Sequence, residues 1–263
     1  VFARDLNVVG AMALLLKEAI KPNLVQTLEN NPAILHGGPF ASIAQGTNTV
    51  LATKMGLSLG DYVITEAGFG ADLGAEKFLN IKCTSAGLAP DAVVIVATIR
   101  ALRHHGGAKK EEYNTPSLQK VKLGIANLEK HIENVQLFGL KAVVAINYFP
   151  NDSEEEIAYV KEVCAQKGVQ AIVSKGFSEG GKGTEELAHA VVTIAQSGES
   201  HFSPLYSNEA SIEEKITAVA TKIYGASKVN YNSKAVSQLK QIKTLGFDKM
   251  PICICLLYTS LMA

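Results

Sequence analysis

The sequence predicts an α/β protein built on a doubly wound, mostly parallel sheet flanked by helices. Short apolar runs rich in β-branched residues recur along the chain, bounded by glycine, proline or aspartate, and stretches of helical periodicity lie between them. Strands that alternate with helices pair in parallel, because each crossover helix returns the chain to the same end of the sheet. The runs at 33–35, 62–65, 92–98, 142–146 and 171–174 read as buried strands, and helical patterns fall at 45–54, 74–82, 117–134, 153–166 and 184–196. Before the first strand, an amphipathic helix begins near Asp5 and calls for a packing partner. Ser153 and Glu156 have the spacing of a capping box, and Gly168 stops the helix they begin. After Pro204 the pattern turns to helices at 212–224 and 233–245, with Ser211 and Glu214 again at capping-box spacing. Residues 1–204 are therefore assigned to the α/β domain and 205–253 to a small helical segment of a second one. Residues 254–263, apolar and without cap or turn chemistry, read as a foreign or frame-shifted tail.

Composition narrows the function classes. With 263 residues, 47% hydrophobic and 19% charged, the chain can bury a sizeable core. Lysine plus arginine equal aspartate plus glutamate at 25 each, so no global field draws in nucleic acid or an anionic membrane. Four scattered cysteines make no disulfide framework, and Cys253 and Cys255 lack the second pair a zinc site needs. No secretory signal and no membrane span is visible, and a cytoplasmic location is expected.

The chemistry-bearing residues cluster where strands end, the usual ligand position in an open parallel sheet. The most informative stretch runs from Val96 to Gly107, where an apolar strand enters a loop carrying Arg100, Arg103, His104, His105, Gly106 and Gly107. Arginine can clamp a carboxylate or phosphate with its planar fork, or simply reach solvent while the glycines turn the chain. A second group is His36, Gly37, Gly38 and Phe40, followed by Ser42 and Asn48, where glycine lets backbone approach a ligand. A third carries Glu66, Gly68, Gly70, Asp72 and Gly74. Its G-x-G-x-x-x-G spacing resembles a weak dinucleotide turn, while its carboxylates better suit magnesium or a proton acceptor. In the fourth, Asn147 offers donor and acceptor to a purine edge and Phe149 a stacking face. Ser174 and Gly176 open a nearby glycine-rich loop that lacks P-loop order. Each group also has a plain reading as turn, cap or core.

Together the segments KPNLVQTLENNPAILHGGPFASIAQGTN, DYVITEAGFGADLGAEKF, PDAVVIVATIRALRHHGG, GIANLEKHIENV and VVAINYFPND resemble formate–tetrahydrofolate ligases from about Arg4 to Cys253. The run V-A-T-I-R-A-L-R-H-H-G-G is similar to a signature of that family, with Arg103 where lysine is usual. The resemblance implies a P-loop NTPase-like sheet and a reaction that joins formate to the N10 amine of tetrahydrofolate, with ATP cleaved to ADP and phosphate through formyl phosphate. It also implies magnesium with the ATP, a monovalent cation (potassium or ammonium), small-molecule substrates and a homotetramer. Asn147 and Phe149 match the family's adenine-pocket segment, with Ser174 and Gly176 as neighbours. Arg100, His105 and His36 fall in the family's signature and H-G-G-P-F loops and are taken as catalytic residues; Glu66 and Asp72 fall in its E-A-G-F-G-A-D segment, and chemistry alone assigns them a catalytic role as metal or substrate contacts, with magnesium as the metal. Gly37, Gly38, Phe40, Gly68, Gly70, Gly106 and Gly107 would line the substrate or phosphate loops. Family members are about twice this length, and their P-loop and G-[LIVM]-K-G-G-A-A-G-G-G-Y signature match nothing in this sequence. The chain is therefore expected to be a fragment, inactive alone. In the final ten residues, Tyr258 is out of register with the family's pterin-stacking aromatic. Two other readings remain open: a nicotinamide-dependent dehydrogenase using Gly68, Gly70 and Gly74, with Arg100 or Arg103 on a 2′-phosphate, and a nucleotide-binding module without catalysis.

Overall fold

A parallel sheet of three strands, β3 (Val93–Ala97), β4 (Ala142–Asn147) and β5 (Gln170–Ser174), organises the protein in the order β3-β4-β5. The structure, a computed structural model, describes residues 3–38, 47–68 and 70–254. Val93 pairs with Ala142 and Val143 with Gln170, so the three carboxyl ends lie side by side at Ala97, Asn147 and Ser174. β4 is central and buried from Ala142 to Ile146, as expected for a parallel strand covered on both faces. β3 lies at the edge, with Ile95 buried and Val94 and Val96 exposed.

The remaining expected strands behave differently. Residues 33–35 fall in β2 (Pro32–Leu35), which pairs antiparallel with β1 (Asn23–Gln26) in a separate two-stranded sheet. Asn30 takes a left-handed conformation in the turn between them, which short polar side chains tolerate. Residues 62–65 form no strand, correcting that expectation. This apolar run joins no ladder among the described residues, and Tyr62 and Ile64 stay exposed.

Between β3 and β4 the chain forms α4 (Ile99–His105) and the 20-residue α5 (Leu118–Leu137). Val121, Gly124, Ile125, Leu128, His131, Ile132 and Val135 make the buried stripe of α5, following helical spacing. α6 (Glu154–Gln166) begins at the expected capping box, with Ser153 and Glu156 bonding each other's backbone N–H groups. Beyond β5 come α7 (Gly176–Glu179) and α8 (Glu185–Ser197). The helices α9 (Ile212–Ala218) and α10 (Ser233–Thr244) bring Ile212 and Leu239 into the same hydrophobic cluster as Val144 and Ile146.

Before β3, α1 (Val9–Ala19) has no buried residue, so the partner its apolar side calls for is absent among the described residues. α2 (Val50–Leu59) is capped by the Thr49 hydroxyl. The helix expected at 74–82 is wider than an α-helix: Gly70–Ala75 and Phe78–Cys83 are π-helical, followed by the single turn α3 (Thr84–Ala86). A Cβ on Gly74 would stand 2.4 Å from the carbonyl oxygen of Ala67, so this segment folds directly onto the turn before it. π-helical turns occur often at functional sites.

Candidate functional site

The parallel register brings the first and fourth sequence groups together. Thr98 caps α4, its hydroxyl accepting from Ala101 N–H at 3.0 Å. Within the first turn, the Arg100 guanidinium lies 5.5 Å from the Phe149 ring and 6.0 Å from the Tyr113 ring. Asn147 pairs with Ser174 across β4 and β5, and Tyr148 N–H donates to the Ser174 carbonyl at 3.0 Å. Gly176 follows one residue beyond Lys175, where a Cβ would meet the Thr184 methyl at 2.9 Å. Asn147, Phe149, Ser174, Gly176 and Arg100 thus share one end of the sheet, a half-buried platform with an aromatic face and a cation.

Arg103 is not an anion clamp in waiting, and neither does it reach solvent. Its side chain is fully buried. Nε and Nη2 donate to the two Glu156 oxygens at 2.8 and 2.6 Å, while Nη1 and Nη2 donate to the Tyr113 and Asn151 carbonyls at 2.7 and 3.0 Å. The guanidinium is used up inside the protein, which removes it as a 2′-phosphate contact. Burial pushes the Glu156 carboxyl up, but Arg103, the Ser117 N–H and Ser153 outweigh it and bring the pKa down to about 2. Asp152, 3.8 Å from Arg103, accepts the Phe149 N–H at 2.9 Å, so the buried pair also sets the backbone under the stacking ring. Its pKa is raised, burial outweighing that N–H and the two nearby arginines.

His105 lies half-buried at the end of α4, where burial and then the neighbouring His104 lower its pKa. His104 itself shares a 2.7 Å hydrogen bond with the Tyr113 hydroxyl. Gly106 and Gly107 close the helix, and only Gly107 needs a left-handed conformation, at φ 85°. His131 on α5, which the sequence reading passed over, feels burial first, then Asp72 raising and His105 lowering its pKa. The signature loop and the acidic turn therefore act electrostatically on one buried imidazole.

That turn departs from a phosphate-binding geometry. Gly68 and Gly70 are left-handed, but no strand precedes them and a π-helical turn follows, so the strand–turn–α-helix of a dinucleotide site is missing. Glu66 is exposed, whereas Asp72 is 1% exposed. Among the described residues no group of three or more His, Cys, Asp or Glu could hold a metal ion.

The same segment holds three buried charged residues that sequence reading missed, Glu76, Lys77 and Lys82. Burial raises the Glu76 carboxyl to about 7 against the Asn80 hydrogen bond and the Lys77 charge. An acid raised in the folded state stabilises below its unfolded value of 4.5 and loses that contribution as pH climbs toward 7. Glu76→Gln should therefore stabilise the protein at pH 8 by on the order of 3 kcal/mol and change little at pH 4.5. Urea unfolding at both pH values checks this; an equal gain at both would contradict it.

His36 is held at every polar atom described. Its N–H donates to Asn48 Oδ1 at 2.7 Å, Nδ1 meets the Thr49 hydroxyl at 2.8 Å, and Nε2 meets the Ala19 carbonyl at 2.8 Å. A carbonyl can only accept, so Nε2 carries the proton, leaving Nδ1 to accept from Thr49. Gly37 is left-handed at φ 68°, with the Thr49 methyl 2.8 Å from where a Cβ would be. Phe40 and Ser42 lie outside the described residues.

Comparison with known proteins adds what geometry cannot. A family model described as formate–tetrahydrofolate ligase matches residues 1–263. A formate–tetrahydrofolate ligase of Rhizobium etli (strain CIAT 652) is 55% identical over 254 residues, which is 97% of this chain and 45% of that protein. The chain thus spans about half the length of the curated relative it matches. The strand-end residues Arg100, His105, Asn147 and Phe149 all fall within the matched range, and on these grounds the chain belongs to the formate–tetrahydrofolate ligase family.

Proposed function

We propose that this chain supplies the base-binding side of an ATP-dependent ligase that joins formate to tetrahydrofolate, giving 10-formyltetrahydrofolate, ADP and phosphate. The observation that carries this reading is the platform at the end of β3, β4 and β5, where Arg100 faces Phe149 beside Asn147 and Ser174. A formate oxygen attacks the γ-phosphorus of ATP and ADP leaves. The folate N10 amine then attacks the formyl carbon, a phosphate oxygen departs with the bonding pair, and the amine loses its proton. In this scheme Asn147 reads the adenine edge, Phe149 packs on the ring with Ser174 and Gly176 beside it, and Arg100 stabilises transferring negative charge. His105, kept toward the neutral form by burial, is the candidate to take a proton near Gly106 and Gly107.

The metal assignment divides. Magnesium bound to nucleotide phosphates needs only one or two protein carboxylates. Exposed Glu66 fits that demand at the Gly68–Gly70 turn, whereas buried Asp72 does not. Family resemblance supports a P-loop NTPase-like sheet extended beyond these strands, a monovalent cation, a homotetramer and cytoplasmic residence. No helix among the described residues is long and apolar enough to cross a membrane.

In a protein of the relatives' full length carrying this segment, 10-formyltetrahydrofolate should form only with formate, tetrahydrofolate and ATP together. A folded, full-length protein without that activity sinks the assignment, and NADPH binding tighter than ATP would favour the dehydrogenase. Asn147→Ala should raise the KM for ATP by roughly five- to tenfold, more than it lowers kcat, as expected for one lost ground-state hydrogen bond. An unchanged KM removes Asn147 from the base.

A further inference from the structure

We infer that Lys82 is the positioning residue of the His36–Gly38 loop, holding it in register for substrate; the inference rests on that loop belonging to the ligase site. Lys82 is 1% exposed, and its ammonium donates to the Thr47 hydroxyl at 2.8 Å, the Asn48 carbonyl at 2.7 Å and the Thr53 hydroxyl at 3.0 Å. The Phe78 ring lies 5.3 Å away. Three donors thus meet three neutral oxygens, and its hydrogen-bond partners among the described residues include no carboxylate. Burial lowers its pKa, outweighing the opposing influence of Cys83. Such an arrangement costs stability that an apolar side chain of similar length would not, so the gain lies in what the ammonium orders.

What it orders is the return path of the loop. With the Asn48 carbonyl pinned, the Asn48 amide spans the loop's base: Oδ1 accepts His36 N–H at 2.7 Å and Nδ2 donates to the Ile34 carbonyl at 2.5 Å. Next door, Thr49 N–H donates to the His36 carbonyl at 3.1 Å, and its hydroxyl holds the imidazole. Lys82 stands on the π-helical segment Phe78–Cys83 that continues from the acidic turn. One buried cation therefore fixes the spacing between two loops that sequence alone presents as separate sites.

Hydrogen exchange and kinetics test this together. In this chain, Lys82→Met should speed exchange of the His36 and Thr49 amides by about tenfold, the scale of one lost charge-assisted hydrogen bond, while amides of α5 keep their protection. In a full-length protein carrying the segment, the same substitution should raise the KM for formate or tetrahydrofolate by about tenfold and leave that for ATP within about twofold. Lys82→Arg, which retains a buried donor cation, should recover part of both effects. Should Lys82→Met fail to fold, Thr53→Val removes one acceptor alone and should show a weaker version of the same pattern. Unchanged amide protection, or kinetic constants that all stay put or all shift together, overturns the inference. Absence of ligase activity in the unsubstituted full-length protein would instead refute the ligase reading, leaving the exchange data to decide whether Lys82 holds the loop.

Discussion

Arg103→Met should cost roughly 3–5 kcal/mol of folding stability at pH 7, the penalty for removing one partner of a buried ion pair. Glu156 would be left with a desolvated charge, and the Tyr113 and Asn151 carbonyls would lose their donors. Urea unfolding gives the number, and a loss below about 1 kcal/mol would show that water or another side chain takes over. Removing both charges in Arg103→Met with Glu156→Leu should recover part of the loss, although the Ser117 and Ser153 N–H groups would then lack their acceptor. Arg103→Lys should be milder than methionine, because an ammonium keeps the charge while giving up the two-pronged fork. The sign of the pH effect follows from Glu156. Its folded pKa of about 2 lies below the ordinary 4.5, so its contribution is present above 4.5 and is lost as pH falls from there toward 2. Arg103→Met should flatten the stability profile across that window.

Gly106→Ala should be similarly damaging for a steric reason. A Cβ there would stand 1.8 Å from the Lys120 carbonyl oxygen, and one on Gly124 would stand 2.0 Å from that of Leu102. Both obstacles are backbone, so α4 and α5 would have to separate. Overpacking of this kind costs about 1–3 kcal/mol and more where nothing can yield, and we expect the upper end. The two substitutions should be less than additive, since either one opens the same crossing. Because α4 carries Arg100 and His105, kcat/KM in a full-length protein should fall by about a hundredfold, as a displacement of about 1 Å can produce. Gly107→Ala is the control: a Cβ there meets open space and only the φ of 85° resists it, costing about 1 kcal/mol. Equal thermal stability of the Gly106 and Gly107 variants would contradict the steric account.

The sequence discloses features whose causes are local. Apolar, β-branched runs bounded by turn residues make 92–98, 142–146 and 171–174 legible as parallel strands, although only the central one is buried on both faces, and the S-x-x-E spacing at Ser153 and Ser211 locates two helix starts to the residue. Periodicity misleads where the cause is distant. Residues 62–65 form an apolar run like a buried strand but pair with nothing among the described residues, and residues 74–82 carry a helical pattern that falls largely in π turns. Arg103 shows the same limit at the site. Its partner is 53 residues away, and nothing beside it in the chain distinguishes a ligand clamp from an internal brace. Glu76 and Lys82 leave only a faint trace, charged residues recurring among the apolar positions of one short helix.

The carboxylate of Glu156 reaches the end of α4 through Arg103, the start of α5 through Ser117 N–H, and the start of α6 through Ser153. Fraying any one of these helix ends would strand the partners of the other two. Helix α4, which bears Arg100, and the loop bearing Phe149 therefore share a single opening free energy instead of fluctuating one by one. If the sheet end takes the nucleotide as proposed, that ligand would meet a platform either fully assembled or open as a unit, and by binding only the assembled form it would draw all three helix ends closed together.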